Sequence, residues 1–153
     1  MSGDDLPLDA KAYDPVRRQY ISTKILSDVS VYAGKTKPKP DEIHRVVGVT
    51  DGDLYVTGLN FVFGEAECPG KAALISLARL TPQFYAKPRN ETLVHERAVK
   101  EAVHELGHTL GIRHCTNPLC VMHFSLHIGM TDRKRESFCK LCLQQVNRAL
   151  PGF

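Results

Sequence analysis

His104-Glu105-Leu106-Gly107-His108-Thr109-Leu110-Gly111-Ile112-Arg113-His114 spells H-E-x-x-H-x-x-G-x-x-H, and the rest of the chain is best read outward from it. Residues four apart on an α-helix return to nearly the same face, so His104 and His108 can offer imidazole nitrogens to one metal ion. Glu105 lies about 100° around the helix from His104, within reach of a water at that metal without being a ligand itself. Gly111 permits a left-handed residue that stops the helix, after which the chain can fold back and present His114 as a third ligand. Three neutral imidazoles leave the fourth tetrahedral position to water, the arrangement of a catalytic zinc.

Directly after His114 come Cys115, Cys120 and Met122, and further on Cys139-Lys140-Leu141-Cys142. Five cysteines argue against a disulfide framework, because an odd count leaves one over and nothing marks the chain as secreted. Metal binding is the better reading. Cys139 and Cys142 can chelate one ion from a single turn, with Cys115 and Cys120 as the other pair across a Pro-containing loop: a closed, structural zinc shell. A redox reading of C-x-x-C lacks the preceding thioredoxin-like strand. Cys68, beside Pro69-Gly70 in a turn, is left over.

The run from His104 to Cys142 resembles the archaemetzincins, a branch of the metzincin metallopeptidases with a four-cysteine zinc site just beyond the catalytic one. Looser similarity extends over Tyr13 to Leu80, through Arg18-Gln19-Tyr20 with Ser22-Thr23, and through Asn60-Phe61-Val62-Phe63-Gly64-Glu65-Ala66-Glu67. The resemblance implies a twisted mixed sheet with the active-site helix beneath it and two zinc ions, one catalytic and one structural. It implies that Met122 is the methionine of the Met-turn, an apolar floor under the metal, with Met130 as a rival whose flanks do not match. It also implies that substrate lies extended and antiparallel along an edge strand, which falls at Asn60, Phe61, Val62, Phe63, Gly64 and Glu65. An ordinary sheet edge is the alternative for that stretch. Chains of the family open with a strand, a helix and a second strand that have no counterpart in this numbering. Either native residues precede Met1 or the sheet is completed differently; the former is the expectation, with Arg45 to Thr50 presenting a ladder edge that is open or otherwise covered.

At 153 residues and 42% hydrophobic content the chain is long enough for one domain with a real core, and short for two. It has no run of eighteen apolar residues, and Met1-Ser2-Gly3-Asp4-Asp5 is acidic rather than a basic leader, so a cytoplasmic protein without membrane association is expected. The formal charge of +3 is unchanged once two zinc ions and four thiolates are counted, and so small an excess is no nucleic-acid footprint. Asp132-Arg133-Lys134-Arg135 reads as a solvated loop or helix start.

The periodicities place a helix from Asp14-Pro15 to about Asp28, a loop over Gly34 to Pro40, and a strand over Arg45 to Thr50 closed by Asp51-Gly52. A short extended piece at Leu54 to Val56 follows, then strands at Asn60 to Glu67 and Ala72 to Leu80. Pro82 to Asn90 reads as a polar loop. From Glu91 onward Leu93, Val94, Ala98, Val99, Ala102, Val103 and Leu106 mark the active-site helix, whose apolar face should pack beneath the sheet. A last helix spans roughly Phe138 to Ala149, closed by Pro151-Gly152. Helices around a short strand series make the class α/β.

The chemistry expected is hydrolysis of a peptide or protein substrate by a single, monomeric domain: zinc acidifies a water, Glu105 accepts its proton, and the leaving amine receives it. The other class of function is a zinc-stabilised module that binds a peptide or a nucleic acid, through Arg133-Lys134-Arg135, with little turnover. The intact Glu105 favours the enzyme.

Overall fold

The computed structural model describes residues 5–36 and 44–151. The expectations for the first four residues, for most of the lysine- and proline-rich stretch before 44, and for Gly152 lie outside that range.

Two short strands, β1 (Tyr13–Asp14) and β2 (Gln19–Ile21), pair antiparallel and are followed by helix α1 (Ser22–Lys35). The helix expected at Asp14 therefore begins eight residues later, and Gly34 and Lys35 belong to it rather than to a loop. The reason is local. Asp14 uses its capping chemistry to close a turn, its Oδ1 accepting from the backbone N–H of Val16 (2.9 Å) and Arg17 (3.1 Å), and the chain doubles back as a hairpin.

Strands β3 (Val46–Thr50), β5 (Gly64–Ala66) and β6 (Ala72–Ser76) form a sheet in the order β3-β6-β5. β6 runs parallel to β3 and antiparallel to β5. All five β6 residues are buried, and both α1 and helix α2 (Glu91–Thr109) pack on that strand, as a central strand covered on both faces requires. Strand β4 (Leu54–Tyr55) pairs parallel with β2, and an isolated bridge from Leu54 to Val62 ties the small sheet to the segment leading into β5. Within the described residues β3 has a ladder partner on one side, and Leu6 and Leu8 of the lead-in share a cavity with it.

Two of the expected strands are shorter than their apolar runs. Of Asn60 to Glu67, residues Gly64–Ala66 form the strand, because Val62 pairs instead with Leu54. Ala72 to Leu80 ends as a strand at Ser76, whose hydroxyl donates to Gly52 O and accepts from Ala78 N–H, turning the chain. Pro82–Tyr85, read as loop, is a single 3-10 turn.

α2 begins at Asn90, whose side chain accepts from Leu93 N–H. It does not bury an apolar face as expected. Its fully buried residues are Arg97, Glu101, His104, Glu105, Gly107 and Thr109, while Leu93, Val94, Ala98 and Val99 are half-buried. A helix can bury so polar a stripe when partners meet it. Arg97 makes a bidentate pair with Asp132 (2.7 and 2.8 Å) and donates to Leu80 O. Lys100 reaches the carbonyls of Thr131 and Asp132, and Glu101 takes the Thr131 hydroxyl and the Lys134 ammonium. These partners sit on or beside helix α3 (Ile128–Arg133), which the periodicities did not mark. Lys134 is consequently enclosed, at 0% side-chain exposure, rather than solvated with its basic neighbours. Helix α4 (Lys140–Ala149) closes the described chain.

Two cores result. One joins Ile25, Leu26 and Val29 of α1 to Leu54, Ala72 and Leu74; the other gathers Ile112, Cys120, Val121, Met122 and Cys142. Leu54, fully enclosed where the two sheets meet, is the sharpest probe of the first. Leu54→Ala is expected to lower the unfolding free energy in urea by about 2–5 kcal/mol with an unchanged denaturant slope.

Candidate active site

The last turns of α2 carry His104 and His108, and the helix stops as the spacing requires: Gly111 has φ +83, and the N–H groups of Gly111 and Ile112 return to the carbonyls of His108 and Gly107. The turn brings His114 back over the helix. His108 Nε2 lies 3.2 Å from both His104 Nε2 and His114 Nε2. A tetrahedral zinc with bonds of about 2.0–2.1 Å sets its nitrogens roughly 3.3–3.4 Å apart, so the three imidazoles fit that ion.

The protonation pattern fits as well. Nδ1 of His104 donates to Val121 O and Nδ1 of His108 to Ile112 O, each at 2.7 Å. A carbonyl can only accept, so both rings carry their proton on Nδ1 and turn a bare Nε2 lone pair toward the shared point. Burial pushes all three imidazoles toward neutrality, His104 down to about 2. Three imidazoles that converge on one point, with burial disfavouring their charged forms, suit a cation.

Glu105 is 4% exposed and lines the same cavity of about 390 Å³ as the three histidines. Burial raises its carboxyl well above the usual range, the neighbouring Glu101 adds to this, and Lys134 opposes it. The carboxylate lies against β5: a Cβ on Gly64 would meet Glu105 Oε1 at 2.7 Å and Leu74 O at 2.6 Å. Glycine is what lets the glutamate lie flat on the strand. Of the stretch expected as the substrate edge, Phe61, Val62, Phe63, Gly64 and Glu65 line the cavity. Asn60 does not, its carbonyl being taken by Gln19. Among the described residues β5 is the outer strand of its sheet, and all three of its residues line the cavity.

The second cluster is Cys115, Cys120, Cys139 and Cys142, whose sulfurs lie within 4.8 Å of one another. Cys115 Sγ and Cys139 Sγ are 3.8 Å apart. That is far beyond a disulfide of about 2.05 Å, and it matches the ~3.8 Å edge of a tetrahedron with zinc–sulfur bonds of about 2.3 Å. Asn117 N–H points at Cys115 Sγ and Cys139 N–H at Cys120 Sγ. Cys139 immediately precedes α4; the nearby Cys142 backbone and the neighbouring thiols bring its own thiol down to about 7, while burial raises Cys115 and Cys142. Cys68, the remaining cysteine, is exposed at the rim of the cavity and outside both clusters.

Met122 is fully buried beneath the His104–His108 turn. Its place depends on Gly107, where a Cβ would meet Met122 Sδ at 2.4 Å. Met130 is engaged elsewhere, its sulfur accepting from Leu126 N–H. Gly107 is a residue the motif reading passed over, although glycine inside a helix is itself a signal. Glu101, Ser125 and Thr131 were also passed over, and no local pattern marks them.

A mixed sheet with an outer strand beside H-E-x-x-H-x-x-G-x-x-H, and a methionine under the histidines, defines a zinc metallopeptidase of the metzincin type. The profile of peptidase family M54 matches residues 6–148. An archaemetzincin of Pyrococcus furiosus is 47% identical over 147 residues, which are 95% of this chain and 74% of that protein. The crystal structure of the archaemetzincin of Methanopyrus kandleri superposes with a TM-score of 0.80 at 43% identity, covering 94% of this chain and 72% of that one. A zinc-dependent peptidase of Methanocorpusculum labreanum gives 0.87 at 34% identity, covering 96% and 83%. The chain belongs to peptidase family M54, the archaemetzincins. No helix among the described residues is long and apolar enough to cross a membrane.

Gly107→Ala tests the packing under the site. Alanine is the better helix former by about 0.8–1 kcal/mol, yet the clash with Met122 is expected to prevail, with a net loss of about 1–3 kcal/mol. Thermal unfolding measured alongside metal content checks this; a raised Tm would contradict it.

Proposed function

We propose that the chain hydrolyses peptide bonds with zinc at His104, His108 and His114 and Glu105 as the proton-transferring group, and that a second, structural zinc is held by Cys115, Cys120, Cys139 and Cys142. The observation that carries this reading is the position of Glu105: excluded from the ligand set, buried, and laid against the outer strand in the cavity that the imidazoles line. Zinc, when bound, supplies Lewis acidity, acidifying a water and polarising the scissile carbonyl.

The chain's own residues do the rest. Extended substrate adds to the outer edge of β5, main chain to main chain, which places one peptide carbonyl over the histidines. Glu105 accepts the water's proton and delivers it to the leaving amine. Val121 and Ile112 carbonyls hold the two helix imidazoles in the ligating tautomer throughout. Met122 keeps an apolar floor beneath them. The domain acts as a monomer in this reading. Binding of nucleic acid through Arg133-Lys134-Arg135 loses support, because Lys134 faces inward to Glu101 and the run presents no continuous basic surface.

Glu105→Ala should retain both zinc ions and the fold while turnover of peptides falls about 10²–10⁴-fold. His108→Ala should lose one zinc together with activity. Paired zinc analysis and cleavage assays of the two variants against wild type decide the matter, and wild-type turnover by Glu105→Ala would sink the hydrolytic assignment. Chelation adds a separate check. Two zinc ions per chain should be released in two phases, the four-thiolate ion last, since its closed shell offers no open position for attack.

A further inference from the structure

Arg18-Gln19-Tyr20 belongs to neither metal cluster, yet Gln19 is buried. Its Nε2 donates at 3.0 Å to both Asp53 Oδ2 and the Asn60 carbonyl, the residue immediately before Phe61. Asp53 in turn accepts two hydrogen bonds from Arg79, from Nε at 2.7 Å and from Nη2 at 2.8 Å. A guanidinium held by such a fork has its plane set by the carboxylate. It lies over the Phe61 ring, 4.2 Å from the centroid, and 4.8 Å from that of Phe84.

Phe61 is where this network meets the cleft. Phe61 and Phe63 line the cavity with the histidines and Glu105, whereas Gln19, Asp53 and Arg79 do not. Residues two apart in extended chain share a face, and the two rings meet edge to face with centroids 5.2 Å apart. The backbone around them is tied down: Val62 N–H donates to Leu54 O at 2.9 Å and Ser76 N–H to Phe63 O at 2.8 Å. Phe63 is buried, but Phe61 is only half-buried. Burial therefore does less to fix the Phe61 ring, and the cation over one face and Phe63 at its flank restrain it.

We propose that Arg79, locked by Asp53, is a positioning residue for peptide hydrolysis. It holds the Phe61 ring as a rigid wall of the cleft, and through that wall sets a preference for a large apolar side chain at one substrate position. The proposal rests on the peptidase reading above. It gives the Gln19–Asp53–Arg79 network, which contains no metal ligand, a part in substrate choice. A wall fixed before binding spares the complex the ordering of that ring, so loosening it should weaken the hold on side chains that pack there.

The test uses the zinc-loaded protein and peptides identical except for Phe or Ala at one position, walked through the two positions on each side of the cleaved bond. At one position Phe should exceed Ala about tenfold in kcat/KM. Arg79→Met should lower that ratio about threefold to tenfold, with the loss in KM more than in kcat. General damage to the fold or the zinc site would lower both peptides alike and leave the ratio. Should Arg79→Met fail to fold, Arg79→Lys keeps a cation for Asp53 but loses the planar fork, and should lower the ratio about threefold. Coupling decides the route: in a Phe61→Ala background the same Arg79 substitution should change the ratio less than about twofold. Calorimetry on the Glu105→Ala protein should show the same Phe preference in affinity. Absence of a Phe preference at every position, a ratio indifferent to Arg79, or an Arg79 effect undiminished by Phe61→Ala would overturn the proposal and leave the peptidase reading standing. Peptides bound with this selectivity but never cleaved would uphold it and overturn the hydrolytic reading. Failure to bind or cleave any peptide would overturn both.

Discussion

The hydrogen bond from His104 Nδ1 to the Val121 carbonyl is the contact on which the site depends. Without it the His104 ring is free to choose the other tautomer, and the converging set of three lone pairs is lost. Val121 and its neighbours belong equally to the thiol cluster. Cys120 precedes it, Cys115 N–H donates to the Met122 carbonyl at 2.9 Å, and Val121 N–H donates to Ser137 O, two residues before Cys139. One strap of three residues thus supplies a thiol, the acceptor that orients an imidazole, and the apolar floor. The order of the motifs along the chain, cysteines directly after the last histidine, has a mechanical reason: the loop that one cluster pins is the loop against which the other is set.

α2 must also hold a fixed register against that loop, and its buried polar stripe does this. Arg97 with Asp132, Lys100 with two carbonyls, and Glu101 with Thr131 and Lys134 are successive ties between α2 and the α3 segment. Buried ion pairs add little net stability, because desolvation opposes the attraction, but a helix slid by one residue would leave each of these groups buried and unmatched. An apolar face tolerates such a slip far better. Glu101, one of the residues that fix the register, also lines the cavity that holds the three histidines and Glu105.

Much of the site was legible in the sequence, because metal ligation on a helix is a matter of spacing. The 104, 108 and 114 offsets, the glycine stop and the four cysteines meet in space as their separations require. The fold was legible where period and turn chemistry agree, as at Val46–Thr50 and Glu91–Thr109. It was misread where one residue can serve two local structures. Asp14 before a proline caps helices and closes turns equally well, and only the pairing of Tyr13 with Tyr20 decides between them. Lys134 looked solvated because its burial is created by Glu101, thirty-three residues away, and the extent of β5 was hidden because Val62 has a better partner in Leu54.

The central claim is that the histidine cluster is held in its ligating form by a loop that the thiol cluster pins. Cobalt(II) binding to the histidine site, followed by its visible absorption in the apoprotein reloaded with zinc at the thiols, reads that form directly. Cys142→Ser removes a thiol without touching the histidines, Glu105 or the strap itself. The account predicts that cobalt affinity at the histidines falls at least tenfold in this variant, as loss of an outer partner to a ligating histidine does. Cobalt binding at the histidines with wild-type affinity and spectrum, in a variant shown to have lost the thiol-bound zinc, would contradict it.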